Sequence, residues 1–457
     1  MERMKISEMV ACTGGKLLKG NPNDEFIDIG TDSRVIKPGM LFVALVGETF
    51  DGNDYAVSAV NSGAIGAIVS REMDLPGNVI LVDDTLKALG QIAAYYRSKF
   101  QIPFVGITGS VGKTTTKDMI ACVLSKKFNV LKTKGNFNNQ IGLPLTLLRL
   151  EREHQIGVTE MGMSGFGEID ALASMVKPDT AVFTNIGLSH IEKLGSRENI
   201  LKAKTEMLRH ITPDGLVVLC GDDDMLWSIR DRLKNQYVYY GIENEDCDIF
   251  AKDIQIVENN GTKFTICHEG EQIQVVIPVL GEHNIKNALA AYAVAIHYGV
   301  TKDDVVEALK GFKPGKMRQN ILQLNGITVI NDCYNASPSS VEAGLKILNQ
   351  IDEKRRKVAV LGDMLEMGAW APNAHKLVGK YVVDAKVDFL ITVGQNSRHI
   401  AQGAIEAGFP KTNLKSFDTN EEVIAFLDEF IQPEDIVLVK GSRGMKLEVI
   451  VEHIIDF

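Results

Sequence analysis

Residues 109–115, GSVGKTT, bring two glycines, a lysine and a pair of threonines into one short run. That set of residue types handles phosphate. Gly109 and Gly112 let the backbone turn tightly, so that amides at the start of the following helix can face an anion. Lys113 supplies a point charge for β- and γ-phosphates and Thr114 a hydroxyl for Mg²⁺, with Ser110, Val111 and Thr115 completing the cradle. The spelling departs from the common P-loop, which has a glycine five positions before the one preceding the lysine. Here that position is Ile107, and the nearest earlier glycine, Gly106, lies one residue too far back.

Two more groups suited to phosphate chemistry stand at the ends of apolar runs. QIGVTE ends on Glu160, a carboxylate able to share the Mg²⁺ that Thr114 touches, and TAVFTNIG is followed by Ser189 and His190. A third run, GLVVLC, leads into GDDD, and IPFVGIT leads into the phosphate loop itself. Ligands of open α/β sheets gather beyond the carboxyl ends of the strands, so four such ends with useful polar groups argue for one site. Taken singly, Glu160 reads equally as a solvated loop carboxylate and His190 as a structural histidine.

The elements that must carry these groups follow from the alternation of apolar runs and helical patterns. Residues 1–98 form a small α/β unit with a strand at MLFVAL, a polar loop VGETFDGND and a closing helix KALGQIAAYYRSKF. Residues 99–313 read as a parallel α/β sheet carrying the P-loop, whose helix is TTTKDMIACVLSKKF. After the turn FKPGKM, residues 314–457 repeat the pattern as a Rossmann-like doubly wound sheet with runs ITVIND, KVAVLG, FLITVG and DIVLVKG. A length of 457 residues suits three domains at roughly 150 residues each.

Composition narrows the partners. With 49 basic against 59 acidic side chains the net charge is −10, which argues against nucleic acid as the main partner. The six cysteines show no CxxC spacing, as expected in a reducing cytoplasm. No run approaches the roughly 20 apolar residues of a membrane span, and charges interrupt MERMKISEMVACTGG too early for a signal peptide.

The offset loop GITGSVGKTTT resembles the ATP-binding loop of the Mur ligase family, which joins amino acids or peptides to a carboxylate. TKGNFNNQIGLPLTLL, TEMGMSGFGEI, TNIGLSHIEKLGSRENILKAKTEM, GEHNIKNALAA, KMRQN, INDCYNASPSS, AVLGDMLEMG and VKGSRGMKLE follow in the family's order over nearly the whole chain. TDSRVIKPGMLFVALVGETFDGNDYA together with DCYNASP is similar to the branch that adds D-alanyl-D-alanine to UDP-N-acetylmuramoyl-tripeptide. The DNPR of the branch that adds the third residue is absent. KMRQN stands in place of a more usual GR-containing turn, and Cys333 and Ser337 where DSYNANP would have Ser and Asn.

The resemblance implies roles that spacing alone does not. His190 would hold a second metal between the γ-phosphate and the substrate carboxylate. Lys204 would be carbamylated, turning a cation into a carboxylate-like group, although a lysine in ENILKAKTEML is by default solvated. Lys202, two residues away, falls near the opposite side of a helix. Asn284 and Asn287 would contact adenine, while Asn284 could equally cap the helix through NALAAYAVAIHYG. Arg318, Asp332, Tyr334 and His375 would approach ATP from the third domain, Arg318 as the phosphate contact and Asp332 on ribose. Ser33 and Arg34 would hold the uridine diphosphate, and Lys440, Ser442 and Arg443 the carboxylate of the incoming dipeptide.

The implied reaction is ATP- and Mg²⁺-dependent amide formation through an acyl phosphate, by a cytoplasmic bacterial monomer that completes the UDP-N-acetylmuramoyl-pentapeptide of peptidoglycan. Another amide ligase of the same family, of the folylpolyglutamate synthetase kind, is the first alternative. A P-loop switch is more distant, because hydrolysis alone has no need of the His190 and Lys204 pair. The tripeptide's third residue stays open between diaminopimelate and lysine.

Overall fold

The structure is a computed structural model describing residues 1–257, 261–352 and 354–456. The chain forms two compact units. One comprises Met1–Thr108, Lys127–Val182 and Ala203–Val217, the other Gly109–Lys126, Phe183–Lys202 and Val218–Phe457. Both draw on the central segment 99–313, so compactness divides the chain differently from its sequence pattern.

In the first unit the strands Asp28–Gly30, Met40–Val43, Gly66–Val69 and Asn78–Leu81 pair in parallel, and Lys16–Lys19 adds antiparallel to the last. Phe42, Ala56, Ala59, Ala67 and Val79 pack as its core. The small residues of YAVSAVNSGAIGAIVS allow the short helix Ala56–Asn61 to lie close to the sheet. The closing helix Thr85–Ser98 starts on an Asp84 carboxylate that accepts from the N–H groups of Leu86 and Lys87. Tyr96 on that helix donates 2.7 Å to the Leu150 carbonyl, and Arg97 donates 3.0 Å to that of Val176. These bonds fasten it to segments that flank the second sheet of the unit. There Val130–Lys132, Ile156–Glu160 and Phe104–Thr108 run parallel, in that order. Ile156, Val158, Val105 and Ile107 are fully buried, as continuous apolar runs in a covered parallel sheet require.

In the second unit, Ile327–Asn331, Ile436–Lys440, Lys357–Gly362, Phe389–Val393 and Leu414–Phe417 form a parallel sheet with Asn320–Leu324 antiparallel at one edge. This is the doubly wound sheet expected of the last segment. The central segment departs from expectation. Ile249–Val257, Gly261–His268 and Glu271–Ile277 pair antiparallel, where parallel strands alone were expected. Glu269 (φ 50°) and Gly270 (φ 78°) make a two-residue turn with both centres left-handed, which directs a hairpin.

The helix after the phosphate loop runs Lys113–Leu124 and stops before the expected SKKF. The helix of GEHNIKNALAA begins at Glu282 with Gly281 as its N-cap, so Asn284 lies within the first turn and does not cap it.

Candidate active site

The phosphate loop is shaped by residues far away in sequence. Ser110 N–H donates 2.9 Å to the Asn185 carbonyl. The Asn185 side-chain amide takes both polar groups of Val111, accepting from its N–H at 2.9 Å and donating to its C=O at 2.9 Å. Thr184 Oγ1 adds a 2.6 Å bond to the same carbonyl, and Gly187 N–H donates 2.9 Å to Ser110 Oγ. A side chain at Gly109 would collide with the Thr184 hydroxyl. At Gly112 (φ 86°) a Cβ would sit 2.9 Å from Asn287 Oδ1. Only glycine suits both positions. Val111 therefore differs from its expected role: its amide is committed to Asn185 and shapes the loop. The anion-facing donors are left to the first helical turn, whose amides have no intrahelical acceptors. Lys113 Nζ lies over the loop, donating to the Gly109 carbonyl at 2.8 Å and that of Ser110 at 3.2 Å.

Three expected nucleotide residues meet here. Arg318 Nη2 donates 3.0 Å to Thr114 Oγ1, while its guanidinium lies 3.8 Å over the Tyr334 ring. Met317 (φ 56°) and Gln319 (φ 55°) flank Arg318 in left-handed conformations that β-carbon-bearing residues rarely adopt. Such strain concentrates where a side chain must be aimed.

Behind the loop a buried polar chain crosses from helix to helix. Thr116 Oγ1 donates 2.9 Å to Asn287 Oδ1, Asn287 Nδ2 donates 3.2 Å to Asn284 Oδ1, and Asn284 Nδ2 donates to the Leu280 carbonyl at 2.7 Å and to Gln319 Oε1 at 3.1 Å. His283 joins through Gln319 Oε1 at 2.8 Å. The two asparagines thus share one helical face, and Gln319 ties that face to the segment carrying Arg318.

Several last-segment residues expected at ligands make internal bonds in this structure. His375 is fully buried. Its Nε2 accepts from Met364 N–H at 2.9 Å and its Nδ1 donates to the Ala371 carbonyl at 2.7 Å. Both nitrogens are used internally and burial lowers its pKa, so in this structure it holds the loop at Met364. Lys440 is buried on Asp332, at 2.6 Å, and also donates 3.0 Å to the Asn335 carbonyl. An ammonium committed in this way orients Asp332. Ser442 is buried, accepting from Leu365 N–H at 2.9 Å and donating its own N–H to the Asp363 carbonyl at 3.0 Å. Arg443 alone of the trio is exposed. It pairs with Glu448 at 2.8 Å beside a cavity of about 700 Å³ walled by Leu280, Met317, Ile321 and Ile455.

In the first unit Glu160 is buried at its strand end. Its Oε1 accepts from Asn138 Nδ2 at 2.7 Å, and its own N–H donates to Thr133 Oγ1 at 3.1 Å. Lys204 is only 1% exposed whereas Lys202 is exposed. Just beyond, Glu206 accepts from the N–H groups of Gly167 and Asp170 at 3.0 and 3.2 Å, capping the helix Glu168–Val176. Arg34 reaches back to Asp32 in a bidentate pair of 2.9 and 2.7 Å. The guanidinium, helped by the Arg34 N–H, holds that carboxyl down to about 2. Ser33 follows Asp32 in the same short helical turn.

Asn185, Thr184, Gln319 and Asn138 were not singled out from sequence. TAVFTNIG did carry a signal for the first two, because polar residues directly after a buried strand stand where loops converge.

A glycine loop at a strand end, a lysine folded over it and an arginine bonded to its threonine define a nucleotide-using α/β enzyme of the P-loop kind. Family models match in chain order: "Mur ligase family, catalytic domain" over residues 26–97, "Mur ligase middle domain" over 107–295, and "Mur ligase, glutamate ligase domain" over 317–443. The UDP-N-acetylmuramoyl-tripeptide--D-alanyl-D-alanine ligase of Bacillus subtilis is 40% identical over 94% of this chain and 93% of its own. A crystal structure of MurF from Acinetobacter baumannii superposes with a TM-score of 0.94 at 35% identity, covering 100% of both chains. MurF from Thermotoga maritima in complex with ADP gives 0.85 at 28% identity, over 94% of this chain and 97% of that one. The chain belongs to the Mur ligase family.

Proposed function

We propose that the protein is an ATP-dependent ligase that joins D-alanyl-D-alanine to UDP-N-acetylmuramoyl-tripeptide, a step of peptidoglycan precursor synthesis. The observation that carries the chemistry is the bond from Arg318 to Thr114, which sets a fixed positive charge at the phosphate loop. The acceptor and donor follow from the full-length likeness to relatives bearing that name.

Amide formation from a carboxylate needs a better leaving group than water, and transfer of the γ-phosphoryl supplies one as an acyl phosphate. Lys113 and Arg318 stabilise charge on the moving phosphoryl group. Thr114 would offer Mg²⁺ a hydroxyl and Glu160 a carboxylate, oxygen donors of the kind that ion takes, and the ion would supply charge stabilisation of the phosphates. Among the described residues no three His, Cys, Asp or Glu side chains gather as a metal cage, and a phosphate-bound Mg²⁺ requires none. His190 would hold a second metal.

Lys204, buried in the segment ENILKAKTEML, carries a carbamate, a reading supported by the likeness of that segment to the family's metal-site lysine. Asn284 and Asn287 present the adenine-facing helix, and Asp332, held by Lys440, takes ribose. Tyr334 flanks the nucleotide, Ser33 and Arg34 anchor uridine diphosphate, and Arg443 is the remaining candidate for the dipeptide carboxylate. The three functional segments are residues 1–98, 99–313 and 314–457, a division supported by the ranges of the three family matches. The enzyme works as a monomer in the bacterial cytoplasm. Six free cysteines support a reducing compartment, and no helix among the described residues is long and apolar enough to cross a membrane.

Purified protein with ATP, Mg²⁺ and UDP-N-acetylmuramoyl-tripeptide should release phosphate briskly only when D-alanyl-D-alanine is added. Glutamate transfer to a folate, with no dipeptide-dependent turnover, would assign the protein to the alternative branch of the family.

A further inference from the structure

We propose that Glu366 is a positioning residue for His190. It would fix which imidazole nitrogen carries the proton, and so which one is presented to the reacting groups. This inference rests on the reading of His190 as a metal-site residue.

The geometry is specific. His190 Nδ1 lies 2.9 Å from Glu366 Oε2. An ionised carboxylate has no proton to give, so the Nδ1–H must be the donor. In the neutral ring this makes Nε2 the nitrogen with the lone pair. A histidine that binds metal through one nitrogen is commonly oriented by a carboxylate on the other.

Both residues are left-handed, His190 at φ 65° and Glu366 at φ 61°. A Glu366 side chain that is 66% exposed adds little to stability through an ion pair. Left-handed non-glycine residues concentrate where a side chain must be aimed. Gly368 (φ 48°) follows, where a Cβ would come within 2.6 Å of Glu192 Cγ, so the turn beyond Glu366 sits closely against the helix Ile191–Leu194.

The segment after the strand Lys357–Gly362, which leads to Glu366, is gripped from behind. Met364 N–H donates to His375 Nε2, Leu365 N–H donates to Ser442 Oγ, and Asp363 Oδ1 accepts from Ser397 N–H at 2.7 Å. His375 and Ser442 hold the residues that present Glu366.

The test compares Glu366→Ala with Glu366→Gln, whose carboxamide oxygen can still accept the Nδ1–H. Nitrogen-15 NMR of the ligand-free protein should show His190 protonated on Nδ1 in the parent and in Glu366→Gln, and a mixed or reversed tautomer in Glu366→Ala. Glu366→Ala should lower kcat by about 10- to 100-fold, with KM for ATP moving less than about threefold, and Glu366→Gln should retain most of the turnover. A parent His190 protonated on Nε2 would overturn the proposal, as would parental kcat in Glu366→Ala. Parental kcat in His190→Ala would overturn it differently, by removing the role of His190 itself.

Discussion

Asn185→Ala removes the side chain that fastens the phosphate loop, and its cost can be worked from the bonds lost. The carboxamide makes two 2.9 Å bonds, accepting the Val111 N–H and donating to the Val111 C=O. A typical intramolecular hydrogen bond contributes about 1 kcal/mol net. The Val111 carbonyl keeps Thr184 Oγ1 at 2.6 Å, whereas the N–H loses its acceptor. Val111 is only partly buried, so water can relieve part of that loss and the lower end of the penalty applies. The loop should therefore lose about 2 kcal/mol of bias toward its present shape, equivalent to about thirtyfold in an equilibrium constant. ATP needs that shape, so the loss should appear as a fall of about thirtyfold in kcat/KM for ATP, chiefly through KM. The assay is steady-state phosphate release at saturating tripeptide and dipeptide, alongside thermal denaturation without ligand. Asn185→Asp should not rescue, because it keeps an acceptor for the N–H but sets a carboxylate against the Val111 carbonyl. An Asn185→Ala protein that melts like the parent, with kcat/KM for ATP within about threefold of it, would refute the reasoning.

Lys204→Ala should be nearly inactive and partly restored by high concentrations of small carboxylates, and labelled bicarbonate should give a protein-bound carbamate in carbon-13 NMR of the parent. An unmodified lysine in active enzyme would end that assignment. Lys440→Met should destabilise the protein by about 3 kcal/mol in urea unfolding, since it leaves Asp332 in a largely buried site without its cation, and adding Asp332→Asn should recover part of the loss. Acid sensitivity should begin early. Burial lowers the pKa values of His283 and His375 below the ordinary 6.5, so the unfolded chain binds more protons below that pH. Their contribution is full above about 6.5 and is lost as pH falls toward the folded values, so the urea midpoint should drop between pH 7.5 and 5.5. A flat midpoint across that range would contradict the burial of these rings in the folded state.

What the sequence determined by itself was local. GSVGKTT carries its chemistry within a few residues, and a glycine that must turn left or admit a neighbour is visible wherever it stands. The parallel sheet of the last segment was legible for the same reason, because buried strands such as IVLVK leave unbroken apolar runs. The antiparallel strands Ile249–Val257, Gly261–His268 and Glu271–Ile277 were less plain, since mixed polar and apolar strands depend on what covers each face. Tertiary structure decided the rest. Lys440, His375 and Ser442 look like ligand contacts in a motif, yet their polar atoms are satisfied by Asp332, Met364 and Leu365. Asn185 and Glu366, unremarked in the chain, lie against Val111 and His190. A polar side chain is defined by whichever donor or acceptor the fold brings within about 3 Å, and for these residues that partner is distant in sequence.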